Sequence, residues 1–180
     1  NQIDATRRAG EIAGFDHVEV LQEPVAASMA YGLDSKKKDG FWLVFDFGGG
    51  TYDSALLKVE EGIMKVLDTE GDNHLGGKNL DFAIVDEIII PHIQENFNIE
   101  DILSRDDTKQ NYREALKPYA EELKNELSFK DSYNLYKEDR CGVDDDGEEV
   151  EIDITITQSD IEKVLRPIFQ KAIDVSQSLL

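Results

Sequence analysis

The chain has 180 residues, 40% of them hydrophobic, which suits one domain of ordinary size, or two small subdomains, with a buried core. Its 39 acidic and 19 basic residues give a formal net charge of −20, which argues against binding nucleic acid because phosphates would be repelled. No apolar run is long enough to cross a bilayer, and the single cysteine, Cys141, excludes an internal disulfide. We therefore expect a folded protein of a reducing compartment, the cytoplasm, with no nucleic-acid or membrane partner.

The chain opens with a helical pattern that has no Met and no lead-in, which is typical of a piece cut from a longer protein. Four elements are predicted before the central motif: a helix over residues 1–14, a strand over 18–21, a helix over 25–31 that follows Pro24 and is ended by Gly32, and a lysine-containing polar loop over 35–40.

Residues 41–57 predict two apolar strands joined at Gly48-Gly49-Gly50, with Asp46 before this turn and Asp53 after it. Adjacent glycines can adopt backbone angles that other residues avoid, so their N–H groups can converge on one phosphate. The two acids would then hold a metal ion through water. A simple hairpin turn is the alternative, but it needs neither three glycines nor an acid at each end.

A third strand is predicted over residues 63–69, and a second glycine-rich loop follows it over 70–77. Gly76 and Gly77 open a helix there, and the N-terminal end of a helix attracts anions. We assign His74 a structural role, because no second His or Cys lies at a metal-ligand spacing.

Two long helices are predicted next, over residues 78–97 and about 108–129. Pro91 is expected to end or kink the first, and Pro118 to bend the second or to restart it. The second helix has an apolar stripe, and its polar face carries Glu121, Lys124, Asn125 and Ser128, which solvation alone would explain.

The rest of the chain predicts a small antiparallel sheet and a final helix. The strands are residues 133–137 and 150–157, and the acidic turn 144–149 between them lacks the register of a calcium loop. The helix begins near Gln158, with Thr157 or Ser159 as its cap. Its predicted inward face comprises Ile161, Val164, Leu165, Ile168, Phe169, Ala172 and Ile173.

The two glycine motifs, Asp46 to Asp53 and Gly71 to Gly77, occur in an order and spacing that resemble the nucleotide-binding domain of DnaK-type chaperones, the seventy-kilodalton heat-shock ATPases. Residues 23–34 resemble the stretch of that family between its two lobes. The resemblance covers essentially the whole chain. It implies a mixed α/β fold: a ribonuclease-H-like, actin-like ATPase lobe, truncated at both ends, with an inserted subdomain of helices and a small antiparallel sheet.

The resemblance also implies a division into four parts and a set of site roles. Residues 1–40 would be an incomplete tail of the first lobe with the interlobe crossing, 41–77 the core of the second lobe, 78–157 its outer subdomain, and 158–180 a helix returning to the core. Magnesium, held through water by Asp46 and Asp53, and ATP or ADP are the implied cofactors. The implied catalytic residues are Glu23, Asp46, Thr51 and Asp53. The implied nucleotide-binding residues are Gly48, Gly49, Gly50, Thr51, Gly76, Gly77, Glu121, Lys124 and Ser128.

The implied function is ATP hydrolysis that controls a peptide-binding domain outside this chain, with client peptides, a J-domain co-chaperone and a nucleotide exchange factor as partners. This chain alone is expected to be inactive, since the basic group that offsets its negative charge would lie in the other lobe. Asn125 stands where the family has a base-stacking arginine. That departure keeps open a non-catalytic docking module. A small-molecule kinase of the same fold is a further alternative.

Overall fold

The computed structural model describes residues 2–30, 39–138 and 141–180. The chain divides into two compact units, which we describe separately. The first contains Asn1–Asp46, Asp53–Gly71 and Ser176–Leu180, and the second contains Phe47–Tyr52 and Asp72–Val175. The four-part division remains a prediction. The helix end at Gly32 and most of the predicted lysine loop lie outside the described residues.

The first unit is formed by two helices, α1 (Gln2–Ile12) and α2 (Glu23–Ala30), and by most of a three-stranded sheet. The strands are β1 (Gly40–Phe47), β2 (Tyr52–Glu60) and β3 (Ile63–Asp72), in the order β1-β2-β3, which confirms the predicted meander. β2 lies in the middle and is largely buried, whereas Phe41, Leu43 and Phe45 of β1 are exposed. Residues 18–21 form no strand, so that prediction is wrong. Val20 and Leu21 are 40% and 56% exposed. Residues of high strand propensity form a strand only where a neighbouring strand pairs with them, and the local sequence does not show whether one is present.

The second unit contains most of the helices and a two-stranded sheet. Its elements are α3 (Gly77–Ile84), a π-helical segment (Val85–Ile89), α4 (Ile90–Asn96), α5 (Glu100–Ser104), α6 (Asp106–Leu127), β4 (Ser132–Lys137), β5 (Ile152–Thr157) and all but the last two residues of α7 (Gln158–Gln177). β4 and β5 pair antiparallel, as the sequence predicted, and their register places Leu135 opposite Ile154. The mixed α/β architecture inferred from the sequence is therefore confirmed.

One apolar stripe of α6 forms the centre of the second unit. All five residues of that stripe are buried: Tyr112, Leu116, Ala120, Leu123 and Leu127. They pack with the buried faces of α3, α4 and the β4–β5 sheet. Burial of such a stripe, rather than local propensity, provides most of the stability of a helix in a folded protein.

Pro91 and Pro118 both lie within stretches that stay helical on either side of the proline. α6 is one continuous helix through Pro118, so the predicted restart there is wrong. Pro118 lies on the exposed side, where water can bind the carbonyl that loses its partner. The chain also remains helical on both sides of Pro91, because the π-helical segment precedes it, with the N–H of Ile90 donating to the carbonyl of Val85.

α7 begins with the predicted cap. The N–H of Asp160 donates to Thr157 Oγ1 at 3.3 Å, and the N–H of Thr157 donates to Asp160 Oδ2 at 3.3 Å, a reciprocal capping box. The inward face is only partly as predicted, because Phe169 and Ile173 are 41% and 43% exposed. No described helix is long and apolar enough to span a membrane.

The acidic turn joins two loops of the second unit. Asp144 is 7% exposed, and its carboxylate accepts hydrogen bonds from the N–H groups of Asn98, Asp146 and Glu148. These bonds hold the pKa of Asp144 below its usual value, the bond from Glu148 contributing most. The turn therefore connects these loops through Asp144, and this residue is buried rather than solvated.

Candidate functional site

The glycine tip, residues Gly48–Thr51, is a tight turn in which the N–H of Gly48 donates to the carbonyl of Thr51 at 2.9 Å. A Cβ on Gly48 would lie 3.1 Å from that carbonyl oxygen, so the turn itself favours glycine at this position. The described glycines with positive φ are all elsewhere in the chain. The expectation that the tip exploits backbone angles closed to other residues is therefore wrong.

Gly49 and Gly50 have a different environment. Both are exposed, and a Cβ built on either would meet no other atom within 4 Å. Neither the local backbone nor neighbouring atoms require glycine at these two positions. Their absent side chains leave the backbone N–H groups open to close approach by a ligand.

The first residues of α3 hydrogen-bond to the glycine tip. The N–H of Gly77 donates to the carbonyl of Gly48, and the N–H of Lys78 donates to the carbonyl of Gly49, both at 2.8 Å. A Cβ on Gly76 would lie 2.7 Å from the nitrogen of Gly50 and 2.8 Å from the oxygen of Gly48. Gly76 is thus required by close packing, and two of the helix N-terminal amides expected to attract an anion already bind the tip.

The loop before α3 is held by Asp72, whose Oδ1 accepts the N–H of His74 at 2.8 Å. The ammonium group of Lys171 on α7 pairs with the other carboxylate oxygen, and this contact does most to lower the pKa of Asp72. Leu75 is 3% exposed and packs with Tyr52 and Ala172. The backbone N–H of His74 therefore takes part in loop structure, and the structural role of its side chain remains a prediction.

Within the first unit, three predicted site residues line one cavity of about 410 Å³, which we call the carboxylate cavity. They are Glu23 at the start of α2, Asp46 near the end of β1 and Asp53 near the start of β2. Its other lining residues are Gln22, Pro24, Val44 and Thr69. None of these described lining residues is basic, so the cavity presents three carboxylates without a protein cation.

The donor set fits a hydrated cation and does not fit direct chelation. Among the described residues, no group of three or more His, Cys, Asp or Glu side chains is placed to hold a metal ion directly. Mg²⁺ usually keeps several of its waters, and each water occupies about 30 Å³ of liquid volume, so the cavity has room for a hydrated ion. Magnesium held through water by Asp46 and Asp53 is compatible with this arrangement.

A second cavity, of about 570 Å³, lies within the second unit between α3, the end of α6 and α7; we call it the apolar cavity. Its apolar lining includes Leu80, Ile161, Leu165, Phe169 and Ile173. This volume is typical of pockets for small organic ligands. Two of the predicted nucleotide contacts, Lys124 and Ser128, line it together with Asn125.

The three residues of α6 that were predicted to contact nucleotide have different surroundings. Lys124 forms an ion pair with Asp81, a carboxylate on α3 that is only 6% exposed at its side chain. Ser128 Oγ donates a hydrogen bond to the carbonyl of Lys124 at 2.7 Å, one of the carbonyls in the last turn of the helix. Glu121 is exposed and does not line the apolar cavity, so it is not brought together with the other two.

The apolar cavity and the glycine tip belong to the same unit and are connected by two elements. α3 touches the tip at Gly77 and the cavity at Leu80, about 4.5 Å further along the helix axis. Phe47, which directly precedes the tip, has its ring 5.6 Å from that of Phe169 in the cavity wall. The tip and the apolar cavity therefore share α3 and the Phe47–Phe169 ring contact.

The sequence missed several residues of these sites. Gln22 and Thr69 line the carboxylate cavity, and their positions beside Glu23 and at the end of a predicted strand were the available signal. The pairs of Asp72 with Lys171 and of Asp81 with Lys124 had no sequence signal, because each joins residues far apart in the chain.

Comparison with known proteins agrees with this architecture. The sequence model of the family described as Hsp70 protein matches residues 1–180. The chain therefore belongs to the Hsp70 family.

Individual relatives are chaperones of the same family. The chaperone protein DnaK of Methanothermobacter thermautotrophicus is 40% identical over 176 residues, which are 95% of this chain and 27% of that protein. The DnaK of Cenarchaeum symbiosum is 35% identical over 172 residues, 95% of this chain and 25% of the relative. The chaperone protein dnaK of Cyanophora paradoxa is 45% identical over 128 residues, 71% of this chain and 20% of the relative. The chain thus spans about a fifth to a quarter of the length of these relatives.

Proposed function

We propose that this chain is part of the ATPase domain of a DnaK-type chaperone, which binds ATP and ADP with magnesium and hydrolyses ATP to control a peptide-binding domain outside the chain. The observation that carries the proposal is the open backbone at Gly49 and Gly50. The first residues of α3 donate hydrogen bonds to this tip, and the same helix lines the apolar cavity of the unit at Leu80. Glycine at both positions has no structural cause within the described chain, and close approach of a ligand accounts for it.

The shape of the second unit supports a nucleotide rather than a simple phosphate. The exposed amides of the tip suit the β- and γ-phosphates, with the side chain of Thr51 as a further contact. The base and ribose would then occupy the apolar cavity, where Lys124 and Ser128 line the wall. Asn125 lacks the planar cation of an arginine, so it would stack more weakly on a base.

The carboxylate cavity supports the metal and water chemistry. When bound, magnesium supplies positive charge that offsets the developing charge of the phosphates. Asp46 and Asp53 would hold its water shell, and Glu23 would orient a water molecule or accept its proton. Phosphoryl transfer to water needs positioning and charge neutralisation more than covalent chemistry, and these side chains supply the positioning.

The activity of the whole protein would require segments outside this chain, including a basic group to offset the formal charge of −20. Client peptides, a J-domain co-chaperone and an exchange factor are its proposed partners, and the cytoplasm its proposed compartment.

A non-catalytic docking module is the second candidate. It is favoured by Asn125 and by the ion pair that engages Lys124 with Asp81.

Isothermal calorimetry of the full-length protein with Mg-ATP and Mg-ADP, combined with turnover measurements, separates the two candidates. The ATPase proposal predicts nucleotide binding and slow hydrolysis that Asp46→Asn and Asp53→Asn reduce at least tenfold, because each removes one carboxylate charge from the metal site. Glu138→Gln, an exposed substitution outside both cavities, is the matched control. Absence of nucleotide binding would leave the docking module, and full activity in both aspartate variants would remove the proposed roles of these carboxylates.

A further inference from the structure

An ion pair between α7 and the loop that precedes α3 lies outside the residues assigned to nucleotide contact. Lys171 Nζ is 2.5 Å from Asp72 Oδ2, with Asp72 20% and Lys171 57% exposed at their side chains. The other oxygen of Asp72 accepts the N–H of His74. The Asp72 carboxylate thus binds both Lys171 on α7 and the backbone of the loop that precedes α3.

The same loop is fastened to α7 a second time, by packing. Leu75 is buried against Ala172, the residue that follows Lys171, and against Tyr52, which follows the glycine tip. α7 therefore holds the loop at two adjacent positions, once by charge and once by apolar contact.

The loop leads directly to the support of the tip. The N–H of Gly76 donates to Asn79 Oδ1 at 2.9 Å, which begins α3, and Gly76 contacts the backbone of Gly48 and Gly50. Gly77 and Lys78 then donate their N–H groups to tip carbonyls. A displacement of the loop must therefore change the position of the tip, because no flexible side chain lies between them.

We propose that Lys171 and Asp72 are positioning residues. Their ion pair fixes the position of the loop before α3 relative to α7, and this position determines where the tip amides lie relative to nucleotide phosphates. This inference rests on the proposed nucleotide function of the tip. A partly exposed ion pair contributes little to global stability. Here its effect is concentrated on one loop whose position decides the geometry of a binding site.

The test compares a ligand with phosphates and one without them. In the full-length protein, Lys171→Met is expected to weaken ADP binding about two- to fivefold, the range for an exposed ion pair, while adenosine affinity stays unchanged. Lys171→Arg keeps the charge and is expected to restore ADP binding. Lys163→Met is the matched control, since it removes a similar ion pair, with Asp160, from the same helix at its other end. The urea midpoint of each variant identifies general destabilisation.

Each outcome decides the inference. A selective loss of ADP affinity in Lys171→Met, with recovery in Lys171→Arg, supports it. Equal weakening of ADP and adenosine, or ADP binding as tight as in the unmodified protein, overturns it and leaves the nucleotide proposal standing. If the unmodified protein binds ADP no more tightly than adenosine, the phosphate function of the tip fails, and this inference fails with it.

Discussion

Replacement of Gly76 by alanine is the sharpest perturbation of the support beneath the glycine tip. Its φ of 177° is extended backbone that alanine also adopts, so conformational strain does not contribute. The added Cβ would lie 2.7 Å from Gly50 N and 2.8 Å from both Gly48 O and Gly50 C. All three are backbone atoms, which cannot rotate away as a side chain could.

The magnitude follows from the displacement needed. Ordinary contact begins at 3.4 Å, so the tip and α3 must separate by roughly 0.6 Å. The two 2.8 Å bonds from Gly77 and Lys78 would lengthen to about 3.4 Å, beyond the usual limit of about 3.2 Å. Overpacking and two weakened hydrogen bonds together predict a loss of about 1–3 kcal/mol in the free energy of unfolding.

Urea unfolding and calorimetry with ADP measure the two consequences of Gly76→Ala. We expect a lower unfolding midpoint and a roughly tenfold loss of ADP affinity, which corresponds to about 1.4 kcal/mol. Gly77→Ala is the control for stability, because its Cβ would meet its nearest neighbours at 3.7 Å, and a change within about 0.5 kcal/mol is expected. Unchanged stability and ADP affinity in Gly76→Ala would refute the reasoning.

Two further predictions concern charges in the second unit. Lys124→Met leaves the buried carboxylate of Asp81 unpaired and should lower the free energy of unfolding in urea by about 2–3 kcal/mol. This loss is smaller than for a fully buried pair because the Lys124 side chain is 24% exposed. Adding Asp81→Asn should recover most of the loss, and no recovery would contradict the account. The pKa of Asp144 is lower in the folded than in the unfolded state, so its contribution to stability is complete at neutral pH and is lost as the pH falls below about 5. Asp144→Asn should therefore reduce stability at pH 7 and flatten the decline of stability in acid. An unchanged acid decline in Asp144→Asn would count against the role of its hydrogen bonds.

Periodicity predicted the elements whose burial depends on one repeating face. The α6 stripe from Tyr112 to Leu127 was predicted residue by residue, because a helix of that length with one apolar side has a single way to pack. The same rule failed at Phe169 and Ile173, which are exposed. Helical periodicity shows which residues share a face of the helix, but it does not show how much of that face other residues cover. It failed at residues 18–21 because a strand depends on a neighbour that the local sequence does not encode.

The candidate site was predicted in its residue types more than in its geometry. Asp46, Asp53 and Glu23 were assigned together, and they line one cavity. The role of glycine was predicted incorrectly in physical terms, because the described backbone of the tip has no positive φ, and Gly76 is needed for close packing. The partners of Lys124 and Lys171 depend on how distant helices meet, which no local pattern encodes.

The most direct test of the central claim, that the open glycines of the tip receive nucleotide phosphates, is the ADP dissociation constant of Gly49→Ala in the full-length protein. The new methyl group would enter open space, so the account predicts a urea midpoint that is not lowered, and unchanged adenosine affinity. It predicts at least a tenfold weaker ADP affinity, because the methyl group would occupy the space of a phosphate. Gly49→Ala that binds ADP as tightly as the unmodified protein would contradict the claim.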